Sequence, residues 1–188
     1  MSRPAVEFAR FKSSGALASQ PSLLQELLAG AQEGGLKAQS YGATIEKPDE
    51  FVWLMYRANY KWPEARGEFF PKLMAVCDGN PSMPWVIEVD SLPDSAGHLT
   101  FKPAVPIEEI KSIMEYNFQL QGSAPGIRGG VWGFHTDDDH RVSVITGWDS
   151  LEAHHGLRKL DVFKELGQKI RELLEDKEIY HVELKHFP

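Results

Sequence analysis

Trp132, His135, Trp148 and His154 have the types and spacing for proton-transfer chemistry on an aromatic guest. Trp132 and His135 fall on one apolar segment, Trp148 closes the next, and His154 follows within about two helical turns. An imidazole is largely neutral near pH 7 and can take a phenolic or enolic proton as a general base. A substrate anion formed in that way could react directly with oxygen, or an enolate could attack a carbonyl elsewhere in its own chain. In this reading the two indoles are walls and His154 is the base. The packing alternative is that Trp148 plugs a sheet and His154 caps or packs a helix.

The first half of the chain offers Tyr41, Trp53, Tyr56 and Asn59. Tyr56 brings a hydroxyl-bearing ring, and Asn59 follows the end of the same apolar run. These two join His154 as candidate catalytic residues. Tyr41, Trp53 and His135 join Trp132 and Trp148 as candidate substrate-binding residues. For Tyr56 and Asn59 the alternatives are packing and turn formation.

Other polar clusters point away from metal. His154 and His155 are adjacent, so on a helix they diverge by about 100° and do not close on one ion as an isolated pair. Asp137, Asp138, Asp139 and His140 lack the glycine and distal glutamate of a calcium loop and read as a solvated hairpin tip. His181 and His186 read as surface or packing residues. The lone Cys77 reads as a small buried group and excludes an intrachain disulfide. No cofactor signature is present, which leaves haem and flavin open, and Gly129-Gly130 follows no phosphate-loop pattern.

The elements that must position these residues occur twice. Gly35-Leu36-Lys37 is echoed by Gly126-Ile127-Arg128, and Gly42 by Gly133, all at one shift (126 − 35 = 133 − 42 = 91). Tyr41 then pairs with Trp132, Trp53 with Val144 and Leu54 with Ile145. The repeat is too long for a solenoid unit and implies two fused copies of a small domain.

In the first copy, strands are expected over 5–11, 36–45, 51–58 and 85–89. Helices are expected from Pro21-Ser22 and from Pro63, the second kinked or interrupted at Pro71. In the second, strands are expected over 98–102, 127–135, 141–148 and 179–184. A helix starts at Pro106, and another runs over 150–176, in two pieces near Gly156. The loops are expected at 13–20 and 90–97.

Each copy is therefore strand, helix, strand, strand, helix, strand, the ferredoxin-like order. The predicted fold is α+β: two tandem ferredoxin-like units, 1–92 and 93–188, whose antiparallel sheets pack as an intrachain dimeric α/β barrel. The helices cover one face of each sheet. Both alternating residue sets are bulky, so the other face needs a partner. One set holds Trp53, Met55, Val144 and Trp148, and the other Leu54, Tyr56, Ile145 and Trp132.

The run Val144-Ile145-Thr146-Gly147-Trp148-Asp149-Ser150-Leu151-Glu152-Ala153-His154 resembles the strand-to-helix signature of the antibiotic-biosynthesis-monooxygenase-like family, within the dimeric α+β barrel superfamily. The likeness extends from about Gly126 to Leu184, through Phe163 and Leu166, and is closest to the tandem-repeat fungal branch. In the first half Arg57-Ala58-Asn59-Tyr60-Lys61-Trp62-Pro63 replaces the Trp-Asp-Ser pattern. The resemblance implies cofactor-independent oxygenation of an aromatic or polyketide-like substrate in secondary metabolism, or a cyclase. It equally admits a haem- or ligand-binding protein or a non-catalytic stress protein, since one fold hosts many functions.

Bulk properties narrow the partners. The chain has 188 residues, a net charge of −7 and 42% hydrophobic residues. It carries no long basic run, which argues against nucleic acid. No apolar run approaches the ~20 residues of a membrane span, and no signal peptide is read, so a cytoplasmic protein is expected. The expected partner is a small hydrophobic or aromatic substrate, with a homodimer as the assembly.

Overall fold

Alternation of apolar side chains makes the central strands. In β1 (Ala5–Lys12) and β3 (Glu50–Arg57) both faces are buried, so successive residues such as Phe8 and Ala9, or Trp53 and Leu54, are at most 1% exposed. The computed structural model describes residues 5–33, 36, 38–57, 66–79, 82–88, 96–135 and 137–187. The chain divides into two compact units, Met1–Glu88 with Val182–Pro188, and Val89–His181. The boundary expected at residues 92 and 93 lies outside the described residues.

The first unit holds α1 (Gly15–Ser19), α2 (Ser22–Glu33), β2 (Ala38–Ala43), α3 (Arg66–Val76) and β4 (Ser82–Glu88) besides β1 and β3. Its sheet is ordered β4-β1-β3-β2 and is extended by β9 (Lys185–Phe187) on the outer edge of β2. The core under the helices joins Ala9, Phe11, Trp53 and Met55 to Leu27, Leu28, Leu73 and Val76. Val6, Phe8, Val52 and Leu54 alternate with these and form the opposite, helix-free face, also buried.

The second unit contains β5 (Ala96–Phe101), α4 (Ile107–Gln121), β6 (Ile127–Phe134), β7 (Arg141–Trp148), α5 (Leu151–Leu157), α6 (Asp161–Leu173) and β8 (Leu174–Ile179). Its sheet order, β8-β5-β7-β6, repeats the β4-β1-β3-β2 of the first unit. The duplication extends to register. Gly42 faces Val52 across β2 and β3, and Gly133 faces Ser143 across β6 and β7, both members shifted by 91 (133 − 42 = 143 − 52). Each unit is thus α+β with the ferredoxin-like order, the fold class expected.

Four local expectations need correction. Residues 15–19 form α1 rather than loop: the Ser14 hydroxyl caps the helix at Leu17 N, and Leu17 is buried. α3 is not interrupted at Pro71, which removes one backbone donor, because Leu73 and Val76 beyond it are anchored in the core. The last long helix ends at Leu173, not near 176. Leu174-Glu175-Asp176-Lys177-Glu178-Ile179 is a mostly exposed edge strand, where charge guards against wrong pairing but looks helical in sequence. The strand expected over 179–184 is replaced by β8 before it and β9 after it.

Candidate functional site

β7 delivers Trp148 at its last position. Asp149 follows, and Ser150 starts α5, its Oγ accepting from Ala153 N at 3.2 Å. This turn brings His154 back over the strand end. The His154 ring lies flat on the Trp148 indole, centroids 5.0 Å apart and planes 15° from parallel. The indole Nε1 is held by Thr146 Oγ1 at 2.9 Å, which fixes the platform.

His154 Nδ1 lies 2.8 Å from Nε2 of His181. Either ring can be the donor, according to tautomer. The other nitrogen of His154, Nε2, has no hydrogen-bond partner among the described residues. Burial, with the neighbouring His181, Arg158 and His155, pushes the His154 pKa down to about 4, so the ring is neutral at pH 7. A half-buried, neutral imidazole with one nitrogen oriented and the other available can accept a proton or bind a ligand.

Trp132 does not share this site, although it shares the face. It pairs with Val144, and with Phe134 it packs into the core of Phe101, Ile110 and Met114 under α4. Since Val144 and Trp148 have the same parity, Trp132 and Trp148 lie on one side of the sheet. The expectation that they take opposite faces is corrected by the observed register. That side is the helix-covered one, so the Trp148–His154 pair is not on the helix-free face that would line a barrel interior. Gly130 has the same parity as Trp132, and a Cβ there would meet Phe118 Cε1 at 2.9 Å. The glycine lets α4 sit close.

His135 is on the other face. It is 4% exposed and bonds Ser143 through Nε2 at 2.8 Å. Burial lowers its pKa to about 4, reinforced by Arg141 and opposed by Asp137 and Asp138.

In the first unit, Trp53 and Tyr41 belong to the helix-side core. Trp53 Nε1 donates to Gln39 Oε1 at 3.0 Å, and Gln39 Nε2 donates to Leu28 O at 2.9 Å. Tyr41 OH accepts from Gln25 Nε2 at 3.3 Å. Tyr56 lies on the helix-free face and donates to Ser40 Oγ at 3.5 Å, and Ser40 Oγ is 2.7 Å from His186 Nδ1. Asn59 lies outside the described residues. A cleft of about 380 Å³ between α5 and the 124–126 turn is lined by Pro125, Ala153, Leu157 and Leu160 and takes in none of the predicted site residues.

Nothing local in the sequence marks His181 as a functional residue. It reaches His154 from 27 positions away through the return of β8. Ser40 and His186 are joined in the same way by the C-terminal strand. Among the described residues no helix is long and apolar enough to cross a membrane.

No family model and no curated protein matches the sequence. Solved structures share the fold over nearly the whole chain. A provisionally named monooxygenase from Fusobacterium nucleatum superposes with a TM-score of 0.74 at 13% identity, covering 98% of this chain and 94% of that one. A protein described as anthrone oxidase-like gives 0.67 at 12% identity, with 98% and 94% covered. An uncharacterised ferredoxin-fold protein from Listeria monocytogenes, related to antibiotic biosynthesis monooxygenases, gives 0.53 at 12% identity, with 100% and 96% covered. At such identities the likeness is one of fold, and it defines the class as ferredoxin-like α+β.

Proposed function

We propose that the chain is a small-molecule enzyme that oxygenates an aromatic or polyketide-like substrate without a bound cofactor, with His154 as general base and Trp148 as its aromatic platform. The observation that carries this is the neutral His154 laid on Trp148, its Nδ1 fixed by His181 and its Nε2 available. The fold shared with a provisionally named monooxygenase and an anthrone oxidase-like protein supports the reaction class.

His154 Nε2 takes the phenolic or enolic proton, and the resulting anion is electron-rich enough to react with oxygen. For an anthrone the balance is one O₂ per substrate: the methylene becomes a carbonyl, and the second oxygen leaves as water with the two methylene hydrogens. A base near pKa 4 taking a proton from a phenol near 10 works uphill by roughly 8 kcal/mol. Arg158, one turn beyond His154, offsets part of this, since the cation that disfavours imidazolium also favours an anion on the substrate. Tyr56, Asn59, Tyr41, Trp53, Trp132 and His135 have no direct part in this reading.

The reading also includes the tandem barrel arrangement and a place in secondary metabolism. Apolar helix-free faces, Val6, Phe8 and Leu54 in one unit and Ile145 in the other, support the barrel. The test is oxygen uptake by the purified chain with anthrones and related phenols. Turnover that falls about 10²- to 10⁴-fold in His154→Ala is expected. Turnover unchanged in that variant removes the base, and product without oxygen uptake points to cyclisation by the same imidazole.

A further inference from the structure

Three histidines of the second unit converge although only two are close in sequence. His154 and His155 diverge on α5, as adjacent helical residues must. His181, just beyond β8, comes between them, its ring centre 4.9 Å from that of His154 and 5.6 Å from that of His155. The two helical rings are 6.2 Å apart. We propose that His154, His155 and His181 form a binding site for a divalent transition-metal ion of the Zn²⁺ type, with its fourth position open to solvent.

The ring centres are near the spacing that three imidazoles on one ion require, but their nitrogens are not yet gathered: among the described residues only Asp138, Asp139 and His140 bring three ligand atoms within 4.8 Å of one another, so His155 must turn to complete the set. With metal–nitrogen bonds of about 2.1 Å, tetrahedral angles place ring centres roughly 5 Å apart. One pair is already at that spacing and the others exceed it by about an ångström or less, within reach of a rotation about His155 χ1 and χ2. His155 is exposed and free to make that movement. The His154–His181 nitrogens, now 2.8 Å apart, would open to roughly 3.3 Å around the ion. Imidazole donors suit zinc, copper and nickel rather than magnesium or calcium.

The acidic tip Asp138, Asp139 and His140 is the competing cluster of potential ligands. There both imidazole nitrogens are engaged, Nδ1 with Asp139 Oδ1 at 2.8 Å and Nε2 with Val105 O at 3.0 Å, so the ring has no lone pair to give an ion without breaking a contact.

The site uses the imidazole assigned above as base, so a bound ion would block that role. The test therefore needs no turnover. The chain is titrated calorimetrically with Zn²⁺ alone and, in parallel, with Co²⁺ followed by visible absorption. One ion per chain is expected, with a tetrahedral cobalt spectrum. His155→Asn and His181→Asn are each expected to weaken uptake by at least about tenfold, and His140→Asn to leave it unchanged. His155 is exposed, so His155→Asn reports on the metal without disturbing the core, and matched urea midpoints without metal confirm this. No saturable uptake, or uptake indifferent to either the His155 or the His181 substitution, overturns the proposal. His155→Asn, which leaves the His154–His181 contact in place, is expected to lose the metal site with oxygenation unchanged, and this separates the inference from the proposed function.

Discussion

His154 is stacked on Trp148, ring centroids 5.0 Å apart and planes 15° from parallel, so the indole shields part of one face of the imidazole from water. Burial is the leading reason that His154 stays unprotonated down to about pH 4. Trp148→Ala exposes that face, and the His154 pKa is expected to climb toward the ordinary value near 6.5. Trp148→Phe, which keeps a ring over it, is expected to hold it low. Proton NMR titration of the imidazole signals checks both. In the proposed reaction, kcat/KM of the parent chain has its acidic limb near pH 4, and Trp148→Ala moves that limb upward.

His135 makes stability depend on pH with a definite sign. Its pKa is lowered to about 4 in the fold, while the unfolded chain titrates near 6.5. Between these values the unfolded state binds the extra proton, so stability is complete above about 6.5 and declines as pH falls toward 4. For a side chain this deeply buried the loss is about 3 kcal/mol. His154 acts with the same sign. Urea unfolding at pH 4.5 and 7 is expected to show the parent chain much weaker at the lower pH. His135→Gln, which can still reach Ser143, is expected to narrow the difference.

His140 runs the other way. Its Nδ1 faces Asp139 and its Nε2 faces the Val105 carbonyl, two acceptors that a single ring satisfies together only as imidazolium. The Asp139 hydrogen bond is the main cause of its raised pKa, with the Val105 carbonyl adding to it against some burial. A raised pKa gives stability that is present below about 6.5 and is lost as pH rises through the folded value. Asp139→Asn is expected to bring the His140 titration down, while the neutral ring keeps its Nε2–H bond to the Val105 carbonyl. Both are readable by NMR in one pH series.

These oppositely signed histidines show how far a sequence can be read. The duplication was legible because it sits in residue identities: Gly42 and Gly133 keep the same register in their hairpins. Element order was legible because period-2 and period-3.6 patterns alternate cleanly. The helix-bearing face was not, since Trp53 and Leu54 are equally apolar and either could face the helices. The histidine cluster was half legible. Trp148, Asp149 and Ser150 announce the turn that carries His154, but His181 arrives by a long return through a charged edge strand that reads as helix.

Gly42 is where the C-terminal segment meets the first unit. The bridge Thr44↔Val182 and the β9 pairs Ser40↔His186 and Tyr41↔Lys185 lay residues 182–187 along β2. A Cβ on Gly42 would meet Val182 Cγ1 at 2.7 Å and press against the Glu183 carbonyl. A valine methyl can turn away, but the backbone oxygen moves only with its strand. Gly42→Ala is therefore expected to lift the segment and cost about 1–3 kcal/mol, as overpacking does. The loss should be local: hydrogen exchange should quicken at 185–187 and along the β2 edge, trypsin should gain access at Lys185, and β5–β8 should keep their protection. Ser40→Ala removes the 2.7 Å contact with His186 and leaves the glycine contact intact, so it is expected to loosen only the end of β9. Gly15→Ala, where a Cβ meets nothing within 4 Å, is the neutral comparison. If Gly42→Ala matched it in both stability and exchange, the close approach of 182–183 to β2 would be disproved.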